Sequence, residues 1–216
     1  MDRRRIVVVE DDPMTRGMLG DILEQAGFAV ATASTASDAR RVCALTDPDG
    51  VVMDIDLGIG PTGFDVADAL LKRWPHLAVL FLTNLPDSRF AGRDPKTLPA
   101  GVAYLRKERL VQPGLLAETL DQVLRGQAGT RLRDDQDPQR PLARLSQTQV
   151  AVLRMVALGL TNQQIADRRG TSVRAVQDVI TRALGVIGAD ADAEGSMRVR
   201  AARQYMLAAG IPLAEA

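Results

Sequence analysis

The chain reads as an α/β domain with a doubly wound parallel sheet, followed by a small all-α domain of helix-turn-helix type. Three observations carry that expectation. Residues 1–125 alternate short apolar runs with helix-like segments five times, residues 126–141 are polar, and residues 142–216 carry apolar side chains at helical spacing. Five successive βα units imply a parallel sheet with helices on both faces, because crossovers between parallel strands are right-handed and short.

The first strand is read over residues 6–9 and the first helix over 15–26, with Met18, Leu19, Ile22 and Leu23 on its apolar face. Strand 28–33 precedes helix 37–45, strand 51–53 precedes helix 64–72, and strand 102–105 precedes helix 113–124. Strand 78–82 instead precedes an irregular segment, 86–101, which holds Pro86, Pro95 and Pro99. A proline inside a helix costs about 3 kcal/mol, so this segment is expected to be loop with at most a short helical turn, either part of an interface or a tolerated surface loop. Residues 126–141, with Arg131, Arg133, Asp134, Asp135 and Asp137 around the lone large apolar Leu132, read as a solvated linker. Ser146 then caps a helix bearing Val150, Leu153, Val156 and Leu160. Thr161 opens a second helix, and residues 171–177 form another capped one.

The 216 residues are 46% apolar and 25% charged, which describes an ordinary globular chain. Its longest apolar run is far too short to span a bilayer, and its start leads into a strand, so a cytoplasmic location without membrane association is expected. One Cys and one His exclude an internal disulfide and a zinc site of the usual ligands. His76 follows Trp74-Pro75 in a turn and is read as a loop residue. Charge is uneven: residues 1–125 hold 15 basic and 18 acidic side chains, against 9 basic and 6 acidic over 142–216. An acidic half joined to a mildly basic half fits a sensor attached to a nucleic-acid reader.

Functional groups of such sheets gather at the carboxyl ends of the strands. Those ends carry Glu10-Asp11-Asp12, Asp54, Thr83 and Lys107. Carboxylates meeting there repel by about 1–4 kcal/mol per pair, which favours a bound hard cation such as Mg²⁺. With Glu10 and Asp11 binding that cation, Asp54 is the candidate nucleophile for a phosphoryl group. Thr83 can donate a hydrogen bond to the group and Lys107 can supply a positive charge. Asp12-Pro13 also suits a helix cap and first turn.

These blocks, Val-Val-Val-Glu-Asp-Asp-Pro, Val-Val-Met-Asp-Ile-Asp-Leu, Phe-Leu-Thr-Asn and Ala-Tyr-Leu-Arg-Lys-Glu, resemble the receiver domain of two-component response regulators, over residues 5–125. The resemblance implies a flavodoxin-like (βα)5 fold, Asp54 as phosphoacceptor and a partner histidine kinase as donor. It adds the backbone carbonyl of Asp56 to the metal-site residues Glu10, Asp11 and Asp54, and makes Tyr104 a switch aromatic. The chain departs from the family pattern at Gly58, where Pro is usual, at Gly63, one residue late, and at Asn84. It departs again over residues 86–101, where the family has its fourth helix.

In the second half, Leu-Ser-Gln-Thr-Gln, Gly-Leu-Thr-Asn-Gln-Gln-Ile-Ala and Thr-Ser-Val-Arg-Ala-Val resemble the LuxR-type helix-turn-helix of NarL/FixJ-type regulators. That likeness implies a regulator of transcription that binds double-stranded DNA, forms a homodimer on activation and is not an enzyme. Ser172, Arg174, Gln177, Asp178, Thr181 and Arg182 fall on the recognition helix, while Asn162 and Gln163 approach the DNA backbone. Gln177 stands where the family usually has Lys or Arg, Asp178 adds a negative charge and Val179 replaces a common His. The likeness also implies a closing helix over residues 196–211, and Asp190, Asp192 and Glu194 lengthen the turn before it. Two rival readings are a C-terminal domain that binds a protein rather than DNA, and a phosphatase using Asp54-Ile55-Asp56. Phosphatases with that motif carry it on the first strand, with acidic ligands downstream, and here both features are reversed.

Overall fold

The computed structural model describes residues 3–112, 114–129, 132–188 and 196–211, arranged as two compact units. The first unit takes the chain up to Asn84 together with Leu98–Asp135. Five parallel strands, β1 (Arg5–Val9), β2 (Ala29–Ala33), β3 (Gly50–Met53), β4 (Ala78–Thr83) and β5 (Ala103–Arg106), stand in the order β2-β1-β3-β4-β5. The near-continuous apolar content of β1, β3 and β4 follows from burial on both faces. Helix α1 (Pro13–Gln25) meets α4 (Leu115–Leu124), and α2 (Ala36–Thr46) meets α3 (Gly63–Arg73), one pair for each face. Leu19, Leu23, Leu116 and Leu120 pack with Ile6, Val8, Val52 and Leu80 in one core layer. Phe64 of α3 meets Phe81 edge to face at 4.8 Å. The sheet, its order and both helix layers agree with the expected doubly wound fold.

Register places the charged strand ends side by side. Val9 pairs with both Ala33 and Met53, so Glu10 and Asp54 emerge next to each other at the carboxyl edge, where the strand order reverses. Asp12 caps α1 by accepting from the Thr15 amide at 2.7 Å, with Pro13 in the first turn as expected. Met18 corrects the reading of α1. It is 45% exposed, because the buried stripe runs through Leu19 and Leu23 instead.

The stretch read as a solvated linker needs correction too. Arg133 forms a parallel bridge with Tyr104, the Asp134 carboxylate accepts from the Arg106 amide at 2.8 Å, and Asp135 is 2% exposed. Arg133 donates to both Asp135 oxygens, at 2.7 and 2.8 Å. Fixed ion pairs allow polar residues to cover the outer edge of β5, which would otherwise present unpaired backbone groups. Arg131 lies outside the described residues.

The second unit comprises Leu85–Thr97 and the residues from Gln136 onward. Its helices are α5 (Gln147–Ala157), α6 (Asn162–Arg169), α7 (Val173–Ile187) and α8 (Met197–Ala208). Ser146, Thr161, Ser172 and Ser196 each cap one by accepting a backbone amide, and the first two complete capping boxes with Gln149 and Gln164. Gly170, at φ +61°, ends α6 in the left-handed region and turns the chain into α7. Asp190, Asp192 and Glu194 lie outside the described residues.

Leu85–Thr97 has the expected short turns, 3₁₀ at Ser88–Ala91 and Pro95–Thr97, but it is no tolerated surface loop. Phe90 is 2% exposed in one core with Val150, Leu153, Ile180 and Tyr205. Its ring stacks on Tyr205 at 5.1 Å, and the Tyr205 hydroxyl donates to the Phe90 carbonyl at 3.1 Å. Arg89 chelates the Asp87 carboxylate at 2.6 and 2.8 Å and donates to the Leu142 and Leu145 carbonyls, while Arg140 donates to Asp87 at 2.7 Å.

Burial would raise the Asp87 carboxyl pKa, but Arg89 and Arg140 outweigh it and hold the group below its ordinary 3.8. A depressed folded value adds stability that is present above the unfolded pKa and lost as pH falls through the folded one. Acid unfolding of this unit, followed by amide exchange in α5, should therefore lose that contribution below pH 3.8. Asp87→Asn should remove the corresponding pH dependence, and an unchanged acid profile would contradict the assignment.

Candidate functional site

Three strand ends build one pocket. After β1 come Glu10, 2% exposed, and the exposed Asp11; after β3 comes Asp54, 6% exposed; after β5 comes Lys107. Candidate ligand atoms of Glu10, Asp11 and Asp54 lie within 4.8 Å of one another. The Lys107 ammonium bridges two of them, at 2.6 Å from Asp54 Oδ2 and 2.7 Å from Glu10 Oε2. Asp54 Oδ1 accepts the Asp56 amide at 3.2 Å. The cleft in front holds about 710 Å³ and also reaches Asp56, Gly58 and Asn84.

Burial lifts the Glu10 carboxyl above its usual range, Lys107 pulls it down by hydrogen bonding and the Asp54 charge pushes it up, with a net rise. For Lys107, burial alone would lower the ammonium pKa. The Asp54 and Glu10 carboxylates outweigh that and hold it above the ordinary value. Three carboxylates against one ammonium leave a surplus of negative charge, and every donor is oxygen. That donor set suits a hard divalent cation such as Mg²⁺ and offers nothing to a soft metal.

The expected residues separate into those the fold brings together and those set behind them. Glu10, Asp11, Asp54, Asp56 and Lys107 line the cleft. Thr83 ends β4 at 1% exposure and Tyr104 of β5 is fully buried, so both stand behind its surface. Two further residues carry the site without having been singled out for it. Arg16, the fourth residue of α1, donates to the Glu10 and Asp11 carbonyls at 2.7 and 3.1 Å and fixes the acidic loop. Gly63, at the start of α3, donates its amide to the Ile55 carbonyl at 2.9 Å, and a Cβ there would lie 2.0 Å from the Asp54 carbonyl oxygen. A glycine late in the family pattern was the only signal for it.

In the second unit, α6, the Gly170 turn and α7 form the helix-turn-helix. Arg174, Gln177, Asp178, Thr181 and Arg182 are exposed on α7, and Ser172 caps that helix. Thr181 donates to the Gln177 carbonyl at 3.0 Å, and Arg182 to the Asp178 carbonyl at 3.2 Å. Gln163 donates to Asp167 at 2.8 Å, while the side-chain oxygen of Asn162 accepts from Arg198 of α8. Val179 is half-buried against the core, which accounts for an apolar residue there.

Comparisons with known proteins agree with this geometry. The response regulator receiver domain family matches residues 6–94. The DNA-binding transcriptional activator DevR/DosR of Mycobacterium tuberculosis (strain ATCC 25618 / H37Rv) is 27% identical over 194 residues, covering 85% of this chain and 88% of the relative. A solved two-component response regulator of the LuxR family from Aurantimonas sp. SI85-9A1 is 30% identical, with a TM-score of 0.51 over 59% of this chain and 89% of its own. The response regulator RcsB, solved in a complex with DNA, shares the fold over 96% of this chain and 99% of its own, at a TM-score of 0.57 and 17% identity. With the acidic pocket at the switch in strand order and the helix-turn-helix behind it in sequence, the chain belongs to the two-component response regulators of the NarL/FixJ type.

Proposed function

We propose that this chain is a transcriptional regulator switched by phosphorylation of Asp54. The observation that carries the reading is the Lys107 ammonium held between Asp54 and Glu10 beside Asp11. In the reaction, an Asp54 carboxylate oxygen attacks the phosphorus of a phosphohistidine on a partner kinase. A P–O bond to Asp54 forms, the P–N bond breaks with its electron pair leaving on the imidazole, and the imidazole takes up a proton from water. Glu10 and Asp11, with the Asp56 carbonyl, would hold Mg²⁺, which supplies charge neutralisation at the phosphoryl oxygens. Lys107 gives up its place against Glu10 to pair with a phosphoryl oxygen, and Thr83 donates its hydroxyl to another. Tyr104 follows Thr83 as the switch aromatic.

Output rests on α7 entering the major groove of double-stranded DNA through Ser172, Arg174, Gln177, Thr181 and Arg182. Asn162 and Gln163 meet the phosphate backbone. Two protomers then present two such helices. DevR/DosR is described as DNA-binding, which supports this reading, as does the net positive charge of the second half. Among the described residues no helix is long and apolar enough to cross a membrane.

Asp54→Asn tests the proposal. Incubated with Mg²⁺ and labelled acetyl phosphate, the native chain should incorporate hydroxylamine-labile phosphate and Asp54→Asn none. The native chain alone should tighten on fragmented genomic DNA when a beryllofluoride mimic is added. Equal labelling of the two proteins would remove Asp54 from the mechanism.

A further inference from the structure

Arg198 is the second residue of α8, 36 positions beyond Asn162 in the chain. Its Nη1 donates to Asn162 Oδ1 and its Nη2 to the Leu160 carbonyl, acceptors that flank Thr161, the cap of α6. A guanidinium only donates, so the amide oxygen of Asn162 must face it, and the amide NH₂ is turned the other way as a donor. The amino end of α6 also carries the positive end of a helix dipole, and the half-buried Arg198 adds a full positive charge beside it. The neighbouring Met197 sets its sulfur 3.3 Å from Thr181 Oγ1, whose single hydroxyl hydrogen the Gln177 carbonyl also faces. The first two residues of α8 thus grip the start of α6 and the outer face of α7 together.

We propose that Arg198 is a positioning residue for duplex DNA. It fixes the Asn162 amide so that Nδ2 donates to a backbone phosphate, and its charge strengthens that phosphate site. The inference rests on the DNA-binding reading above. It assigns α8 a task in reading DNA that its place outside the helix-turn-helix does not suggest. Lysine at this position keeps the charge but lacks the planar fork that meets two acceptors at once.

The test uses the full chain with Arg198→Met, Arg198→Lys, Asn162→Ala and the Arg198→Met/Asn162→Ala double variant. Anisotropy against fragmented genomic duplex DNA is measured across a salt series, with side-chain amide NMR of Asn162 in the free protein. Asn162→Ala should weaken binding by roughly tenfold at every sequence, as loss of a phosphate contact does, and Arg198→Met by more, because it also removes a charge. The double variant should be no worse than Arg198→Met, because the two residues act as one unit. Arg198→Lys should keep the salt slope of the native chain without regaining its affinity. The Asn162 side-chain amide should show restricted motion in its ¹⁵N relaxation in the native chain and rotamer averaging in Arg198→Met. Multiplicative losses, or full affinity in Arg198→Lys, would overturn the positioning role and leave only a charge effect. If the native chain shows no salt-dependent DNA binding, it is the DNA reading that falls, and the Asn162 signals alone decide whether Arg198 orients the amide.

Discussion

Phe90→Ala should cost about 3–5 kcal/mol of stability in the helical unit while sparing the sheet unit, the range found for large-to-small changes at buried aromatic positions. Phe90 is 2% exposed and shares a core with side chains from α5, α7 and α8. Its loss leaves a cavity beside Tyr205, on whose ring Phe90 stacks at 5.1 Å. The two units can be followed separately. Trp74, the single tryptophan, belongs to the sheet unit, so its fluorescence reports that unit in denaturant. Amide exchange in α5 and α8 reports the other. The expected result is faster exchange in both helices with an unshifted Trp74 transition. Faster exchange confined to residues 85–97 would show that the segment merely rests on the unit instead of completing it.

Gly63→Ala should all but abolish phosphoryl incorporation at Asp54. The added methyl would sit 2.0 Å from the Asp54 carbonyl oxygen and 2.9 Å from its carbonyl carbon, with Ile55 Cα at 3.0 Å. All three are backbone atoms, so no side chain can rotate away. Either α3 moves off the sheet or the strand end carrying Asp54 moves, and the hydrogen bond from the Gly63 amide to the Ile55 carbonyl is strained in both cases. Overpacking of this kind costs about 1–3 kcal/mol or more. A displacement near 1 Å at a reacting carboxylate is worth on the order of 100-fold in rate. Labelling with acetyl phosphate in the folded variant, verified by its Trp74 emission, measures the effect. Near-native incorporation would mean that the loop absorbs the methyl without moving Asp54.

The strand ends were legible in the sequence because each apolar run stops on a charged or hydroxyl residue, and a parallel sheet leaves those ends only one place to meet. Two caps were legible for an equally local reason: Asp12 stands before Pro13 and Ser146 before a helical apolar pattern, and a cap is made within three residues. Part of what escaped was set by partners far away in the chain. Arg89 finds its carbonyls 53 and 56 positions on, and Tyr205 reaches Phe90 across 115. Composition alone could not distinguish the polar run near Asp135 from a solvated one, because ion pairing with Arg133 depends on geometry. Arg16 and Arg198 were hidden for the same reason, each being one arginine among many until its acceptors are known.

The helical unit begins in the sequence before the sheet unit has ended, and this bears on how such a chain can be rearranged by recombination. In a regulator whose two domains follow one another, a crossover anywhere in the connecting stretch exchanges the sensor and leaves the reader whole. Here a crossover at residues 136–141 would carry Phe90, Arg89 and Asp87 away with the sensor and strip the reader of part of its interior. A working chimera has to transplant Leu85–Thr97 as a graft inside the foreign sheet domain. The two halves of this chain are therefore expected to be inherited together.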